Sequence, residues 1–227
     1  MGKILKKNKG LFITFEGPEG SGKSTQMALL GRFLHENHIP YLLTREPGGS
    51  SLSTHLRRWI LNRLEYKLAP TTELLLFLAD RAQHVSEVIQ PALQKGKVVL
   101  CDRYTDSTLA YQGGGRGFDL NILKSLNGVA TSGLKPDLTL LLDVPVELGL
   151  KRALGRGKGK DRMEREKLRF HQNVRQTFLR LARADKRRFI VLDGRKDKRV
   201  LQLEVISELN ERLPGGSQLR RSLKAKR

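Results

Sequence analysis

The stretch LFITFEGPEGSGKST, residues 11–25, decides the fold of this chain. An apolar run typical of a strand leads into a glycine-rich turn, and a helix is expected to begin near Ser24. A loop with the spacing G-x-x-x-x-G-K-[ST] lets backbone N–H groups converge on a phosphate chain, because glycine has no Cβ in the way. Lys23 is placed to reach the outer phosphates, and the hydroxyl of Ser24 to hold Mg²⁺. The stretch therefore predicts a phosphate-binding loop between a strand and a helix.

Length and composition narrow the class of protein. The 227 residues suit one α/β domain, and the single cysteine, Cys101, excludes an internal disulfide and a cysteine-rich metal site. No apolar run reaches the length of a signal peptide core or a membrane span, so we expect a cytoplasmic protein. The net charge is +20, and residues 151–199 hold 19 basic and 6 acidic side chains. Such an excess suits a polyanionic ligand or nonspecific contact with nucleic acid.

Short apolar runs alternate with helical patterns along the chain. The strand candidates are residues 11–15, 41–44, 98–101, 138–142 and 189–192. This alternation predicts an α/β fold with a five-stranded parallel sheet covered by helices on both faces. The carboxyl ends of such strands share one edge, where ligands bind. The flexible basic run at 155–160 is predicted to be part of a lid over that edge, at about residues 155–163.

Charged residues follow several strand candidates at this edge. Asp102 ends an apolar run, where phosphate-loop enzymes place an acidic residue for Mg²⁺. Arg45 and Arg103 offer two guanidinium groups for a second phosphate. Two phosphorylated ligands are therefore expected to meet at this edge.

Five motifs in register resemble the thymidylate kinase family from about residue 11 to 213. They are GPEGSGKST at 17–25, REPGG at 45–49, FLADR at 77–81, DRYTDSTLAYQGGGRG at 102–117 and DRME at 161–164. The resemblance implies the P-loop nucleoside monophosphate kinase fold with a mobile lid, and Mg²⁺-dependent transfer of the ATP γ-phosphoryl group to dTMP. It also implies a homodimer, with the apolar helix around 74–78 as a candidate interface.

The resemblance assigns roles residue by residue. The catalytic candidates are Lys23, Arg45, Arg103 and Arg156. The ATP-binding candidates are Gly17, Pro18, Glu19, Gly20, Ser21, Gly22, Lys23, Ser24, Thr25 and Arg162, and the metal-binding candidates are Ser24 and Asp102. The dTMP-binding candidates are Glu19, Arg45, Phe77, Arg81, Arg103, Thr108, Tyr111 and Gln112. Phe77 would stack on thymine, Arg81 would hydrogen-bond the edge of the base, and Tyr111 would lie beside the deoxyribose.

In its lid arginines the chain resembles the bacterial type of the family. Gly20 and Ser21 stand in the loop where a catalytic arginine is found in other members, whereas the lid carries Arg156 and Arg162. Arg156 is the first candidate for the ATP phosphates. Arg162 is the second, because Asp161 or Glu166 is able to pair with it.

Two other functions compete with this interpretation. Another nucleotide kinase would share the phosphate loop, but a nucleoside kinase would leave Arg45 and Arg103 without an acceptor phosphate. A nucleic-acid-dependent ATPase would suit the net charge, but the basic segment contains few aromatic residues. We expect one domain at 1–213, a flexible basic tail at 214–227 and no specific nucleic-acid partner.

Overall fold

The computed structural model describes residues 10–62, 68–155 and 161–212. Its five strands are β1 Leu11–Glu16, β2 Tyr41–Arg45, β3 Val98–Asp102, β4 Leu138–Asp143 and β5 Phe189–Asp193. They pair in parallel in the order β2-β3-β1-β4-β5. The predicted five-stranded parallel sheet is thus confirmed, and every strand ends one residue beyond its predicted end.

Helices cover both faces of the sheet. They are α1 Lys23–Glu36, α2 Ser51–Leu61, α3 Pro70–His84, α4 Gln90–Gln94, α5 Thr105–Thr108, α6 Leu120–Thr131, α7 Val146–Leu154, α8 Leu168–Ala184 and α9 Lys198–Arg212. π-Helical turns at Val85–Ile89 and Leu109–Gly115 continue α3 into α4 and extend α5. Pro91 lies just after the first of these turns, and its missing N–H explains why regular α-helical bonding gives way there.

Successive side chains of β1 pack into two separate hydrophobic clusters, one on each face of the sheet. Ile13 and Phe15 pack with residues of α1 and α9 in one cluster, whereas Phe12 packs in another with the segment that runs from α3 to α4. Successive side chains of a strand point to opposite faces, so a strand covered on both sides reads as a continuous apolar run. Cys101 is buried in the second cluster, as an apolar residue would be.

The position of β1 fixes the position of the ligand edge. This strand lies at the centre of the sheet between β3 and β4, and the loop that follows it opens at the carboxyl edge. In parallel sheets a crevice forms where neighbouring connections leave in opposite directions. The loops after β1, β2 and β3 therefore converge.

Within the described ranges, no helix is both long enough and apolar enough to cross a membrane. The cytoplasmic location, the single-domain division and the flexible tail stay predictions. The tail lies outside the described residues.

Candidate active site

The loop between β1 and α1 has three glycines at positive φ, Gly17, Gly20 and Gly22, and the first two are also closely packed. Gly17 has φ +136° and Gly20 has φ +65°, both in the region that L side chains rarely adopt. A Cβ on Gly17 would lie 2.3 Å from the carbonyl oxygen of Leu142, and one on Gly20 would lie 2.0 Å from that of Gly149. A side chain, arginine included, therefore has no room at Gly20 in this loop.

Lys23 is folded onto the loop that precedes it. Its Nζ donates to the carbonyl oxygens of Gly17 at 3.0 Å and Pro18 at 2.8 Å. Burial, with the nearby charge of Arg103, lowers the pKa of Lys23 to about 8. A lysine with this pKa is partly neutral in mildly alkaline solution, and a bound anion would raise its pKa again.

Ser24 and Asp102 meet where α1 begins and β3 ends. The Ser24 hydroxyl donates to Oδ2 of Asp102 at 2.8 Å, because β1 and β3 pair directly and their carboxyl ends coincide. Oδ1 of Asp102 is buried and has no hydrogen-bond partner among the described residues. A hydroxyl and an unpartnered carboxylate oxygen are ligands that Mg²⁺ prefers. The residues present therefore fit the predicted metal site.

One cavity of about 1100 Å³ brings most of the predicted site residues together. The predicted residues that line it are Glu19, Gly20, Ser21, Gly22, Lys23, Ser24, Thr25, Arg45, Phe77, Arg81, Asp102, Arg103, Thr108, Tyr111 and Gln112. Gly17 and Pro18 do not line it, although Lys23 contacts both through their carbonyl oxygens. Arg156 lies outside the described residues.

Two arginines face the cavity from neighbouring strand ends. Arg45 is exposed, and its guanidinium makes no hydrogen bond or ion pair with another described residue. Arg103 has φ +72°, and its guanidinium donates to Glu19 at 2.9 Å and lies 4.8 Å from the ring centre of Tyr111. A free guanidinium beside one that is already oriented is an arrangement suited to a phosphate group.

Arg57 adds a third guanidinium that sequence reasoning missed. It lines the cavity from α2 and donates to the carbonyl oxygen of Pro47 at 2.6 Å. Burial lowers the pKa of Arg57, and the charge of Arg45 lowers it further. The sequence signal for this role was that Arg57 lies in the helix that follows the Arg45 loop. None of the five motifs includes this residue.

Glu19 links the phosphate loop to the other side of the cavity. The hydroxyl of Tyr111 lies within 2.7 Å of both of its carboxylate oxygens, and Arg103 pairs with it. Burial alone would raise the pKa of Glu19, but the charges of Arg103 and Lys23 outweigh burial and hold the pKa below its ordinary value. Glu19 is therefore an anion that orients Tyr111 and Arg103.

The far end of the cavity carries an aromatic ring and a buried arginine. Phe77 is partly exposed on the cavity wall, one helical turn before Arg81. The Arg81 guanidinium donates to Glu46 at 2.8 Å, to Thr108 and Asn127 at 2.6 Å, and to the carbonyl oxygen of Tyr104 at 2.9 Å. These bonds use four of the five donors of an arginine. A contact from Arg81 to a base thus depends on its remaining N–H, and this role stays a prediction.

A second layer of buried polar groups holds the loop after β2. Glu46 binds Arg81 and His84, and the other ring nitrogen of His84 lies 2.6 Å from the Thr44 hydroxyl. Asp80 accepts from the backbone N–H of Gly48 at 2.9 Å, and burial, with the charge of Glu46, raises the pKa of Asp80 to about 6. This network fixes the backbone beside Arg45.

Arg162, a predicted ATP-binding residue, is bound to two neighbours outside the cavity. Its guanidinium donates to the carbonyl oxygen of Ile60 at 2.9 Å and to Glu73 at 2.6 Å, and it does not line the cavity. Neither Asp161 nor Glu166, the expected competitors, is its partner in these two bonds. Contact of Arg162 with ATP stays a prediction, and such contact would require the side chain to leave Glu73.

The opposite end of the cavity was also missed by sequence reasoning. Arg152 and residues 194–198 line it, and Arg152 donates to the carbonyl oxygen of Gly194 at 2.7 Å. The only signal was that Asp193 and Gly194 follow a predicted strand. These residues extend the cavity from the phosphate loop toward the start of α9.

Comparison with known proteins identifies the same family that the five sequence motifs resemble. Residues 15–205 match the family model for thymidylate kinase. The chain is similar to the thymidylate kinase of Carboxydothermus hydrogenoformans, with 58% identity over 83% of this chain and 91% of the relative. It is also similar to that of Geotalea daltonii, with 50% identity over 91% and 99%. A crystal structure of thymidylate kinase from Ehrlichia chaffeensis superposes with a TM-score of 0.71, at 35% identity over 89% of this chain and 99% of that one.

The resemblance drawn from five sequence motifs is thus confirmed over most of the chain, and this chain belongs to the thymidylate kinase family.

Proposed function

We propose that this protein transfers the γ-phosphoryl group of ATP to dTMP, forming dTDP and ADP. The observation that carries the proposal is that the phosphate loop and the Arg45 and Arg103 pair line one and the same cavity. A single cavity with two anion-binding groups fits a reaction between two phosphorylated substrates. The family membership supports thymidylate as the acceptor.

The ATP phosphates would lie on the loop formed by residues 17–24. Lys23 would exchange the carbonyl oxygens of Gly17 and Pro18 for the β and γ phosphates. Ser24 and Asp102 would hold Mg²⁺, whose charge offsets that of the phosphate oxygens when it is bound. The adenosine moiety would extend toward Arg152 and residues 194–198, which line the same cavity.

The dTMP phosphate would bind between Arg45 and Arg103, with Arg57 near Arg45. Glu19 and Tyr111, which bind each other, would face the deoxyribose. Phe77 would stack on the base, while Thr108, Gln112 and the remaining N–H of Arg81 would border its edge. Each of these side chains except Arg45 and Phe77 is already held by a neighbour, so little ordering would be needed on binding.

The reaction needs no basic residue to remove a proton. An oxygen of the acceptor phosphate is already anionic near neutral pH and forms the new bond to the γ phosphorus, while the bond from that phosphorus to the ADP oxygen breaks. The protein must align the two substrates and place positive charge around the negatively charged transferring group. Lys23, Arg45 and Arg103 supply charge from the described residues, and Arg156 would add to it from the lid.

The test is ADP release from ATP with a panel of acceptors: dTMP, dUMP, UMP, dCMP, AMP and thymidine, with single-stranded DNA as a possible stimulant. We expect turnover that prefers dTMP and that falls in the Arg103→Ala variant. Activity with thymidine but not with dTMP would contradict the proposal. Hydrolysis of ATP that depends on DNA and not on an acceptor would also contradict it.

We also propose that the protein forms a homodimer through the layer that contains α3 and α6, which pack against each other. Ile122 and Val129 are seven residues apart on α6 and therefore share a face, and both are exposed, as is Leu75 on α3. Exposed apolar side chains on adjacent helices suit an isologous interface. Val129→Asp should lower the mass measured by sedimentation, and an unchanged mass would contradict this interface.

A further inference from the structure

Glu73 is a buried carboxylate that binds three side chains from two other parts of the chain. It lies in the first turn of α3 and is 1% exposed. Oε1 accepts from Gln112 at 2.9 Å and from Nε of Arg116 at 3.1 Å. Oε2 accepts from Nη2 of Arg116 at 2.9 Å and from Arg162 at 2.6 Å. The carboxylate therefore joins the segment that carries Arg162 to the wall of the nucleotide cavity.

Glu73 is anionic in this environment. Burial would raise the pKa of Glu73, but the hydrogen bonds from Arg116 and Gln112, with the charges of Arg116 and Arg162, lower it below its ordinary value. An ionised carboxylate only accepts hydrogen bonds. Every group that contacts it must therefore present a donor.

This requirement fixes the orientation of the Gln112 amide. An amide has a donor end and an acceptor end, and the reverse orientation would place its carbonyl oxygen against the carboxylate of Glu73. Nε2 is thus held by Glu73, and Oε1 is the end left for other partners. Gln112 lines the cavity, and no described residue is seen to donate to its Oε1.

We propose that Glu73 is a positioning residue that sets base specificity through Gln112. By holding Nε2, it presents an amide oxygen to the bound base, which suits a pyrimidine with an N–H donor at N3. Thymine and uracil carry that donor, whereas cytosine has an acceptor there. The inference rests on the proposed function, because it assumes that the base binds against Gln112.

The expected discrimination follows from the cost of unpaired polar groups. Two buried acceptors that face each other without a proton leave both unsatisfied, and such a mismatch costs about 10- to 100-fold in affinity. Other cavity residues contribute to base selection as well. Glu73 is therefore expected to control only the part of the selectivity that depends on the N3 proton.

Glu73 also has a structural role that must be separated from this one. Its bonds to Arg116 and Arg162 help to hold the segment from residue 161 onward, so a loss of turnover in a Glu73 variant would be ambiguous. If a variant loses the same factor of affinity for every nucleotide, the ratio of its affinities for two bases stays unchanged. The test therefore compares dissociation constants for dTMP, dUMP and dCMP.

In the Glu73→Gln variant, residue 73 can offer either a donor or an acceptor, so Gln112 is free to turn over. We expect the preference for dTMP over dCMP to fall by about 10-fold or more, while the preference for dTMP over dUMP stays as in the parent. Arg116→Gln is the matched control, because it removes an ion pair of Glu73 and leaves the bond to Gln112. It should keep the parent ratio of dTMP to dCMP.

Gln112→Leu supplies a second variant that leaves Glu73 and its arginine partners intact. It should lower the dTMP to dCMP preference about as much as Glu73→Gln does. An unchanged ratio in either variant, or an equal fall in Arg116→Gln, would overturn the inference. Failure of the parent protein to bind dTMP would instead overturn the proposed function, so the two failures are distinguishable.

Discussion

Oγ of Ser24 lies 2.8 Å from Oδ2 of Asp102, and this hydrogen bond joins the first turn of α1 to the end of β3. Two residues that are 78 positions apart in the sequence thus supply adjacent oxygen ligands. The contact depends on the direct pairing of β1 with β3, in which Phe15 is opposite Asp102. The metal site is therefore a product of strand order.

Asp102→Asn should raise the Mg²⁺ concentration needed for half-maximal rate by about 10- to 100-fold, because an amide oxygen is a weaker ligand and a weaker acceptor for Ser24. The measurement is a titration of initial rate with Mg²⁺ at saturating ATP. Asp119→Asn is the control, since Asp119 is exposed outside the cavity at the N-cap of α6, where Asn caps equally well. An equal Mg²⁺ requirement in parent and Asp102→Asn would refute the assignment.

The rate should depend on pH through Lys23. Its pKa is about 8 in the free protein, so kcat/KM for ATP should fall as the pH rises through that value. Bound phosphates favour the charged ammonium, so the corresponding fall in kcat should occur at higher pH. Profiles of kcat/KM and kcat from neutral pH to about 10 test this pair of expectations. A kcat/KM for ATP that stays flat over the range would count against it.

Glu16 should make the protein less stable as the pH rises. Its carboxyl group binds the backbone N–H groups of Tyr104 and Ser107, and burial, with the charge of Asp106, raises its pKa to about 8. An unfolded chain loses this proton at a lower pH, so between the two values the folded state holds more protons. The free energy of unfolding should therefore fall from about pH 4.5 to about pH 8 and lose nothing further from this group above that.

Glu16→Gln cannot ionise and should lack this part of the slope. The measurement is urea unfolding at a series of pH values, with Glu36→Gln on the exposed face of α1 as the control. If Glu16→Gln keeps the slope of the parent, the raised pKa is refuted.

Gly20 should tolerate no side chain. Gly20→Ala places a Cβ 2.0 Å from the carbonyl oxygen of Gly149 at a positive φ, so we expect a loss of about 1–3 kcal/mol in stability and a loss of ATP affinity. Gly128→Ala is the matched control, because a Cβ there meets nothing within 4 Å inside α6. The control should gain about 0.4–1 kcal/mol. Equal stability of the two variants would contradict the geometry of the loop.

Most of the fold and the phosphate loop could be predicted from the sequence, because both depend on local patterns. Each buried strand reads as an apolar run, and the loop is a contiguous motif. The partners of buried polar groups were much harder to predict. Arg162 pairs with Glu73, 89 residues away, and Arg81 uses its donors on residues of three other segments. Such contacts depend on how helices pack, and no local signal encodes them.

Recovery of the transferred phosphate in the acceptor is the measurement that bears most directly on the two anion-binding groups of the cavity. The protein would be incubated with ATP labelled in the γ phosphate, dTMP and Mg²⁺, and the label counted in dTDP and in inorganic phosphate. We expect dTDP to contain label in the same molar amount as the ADP formed, with no ADP formed when dTMP is left out. Label that appears as inorganic phosphate, at a rate independent of dTMP, would contradict direct transfer between two ligands held in this cavity.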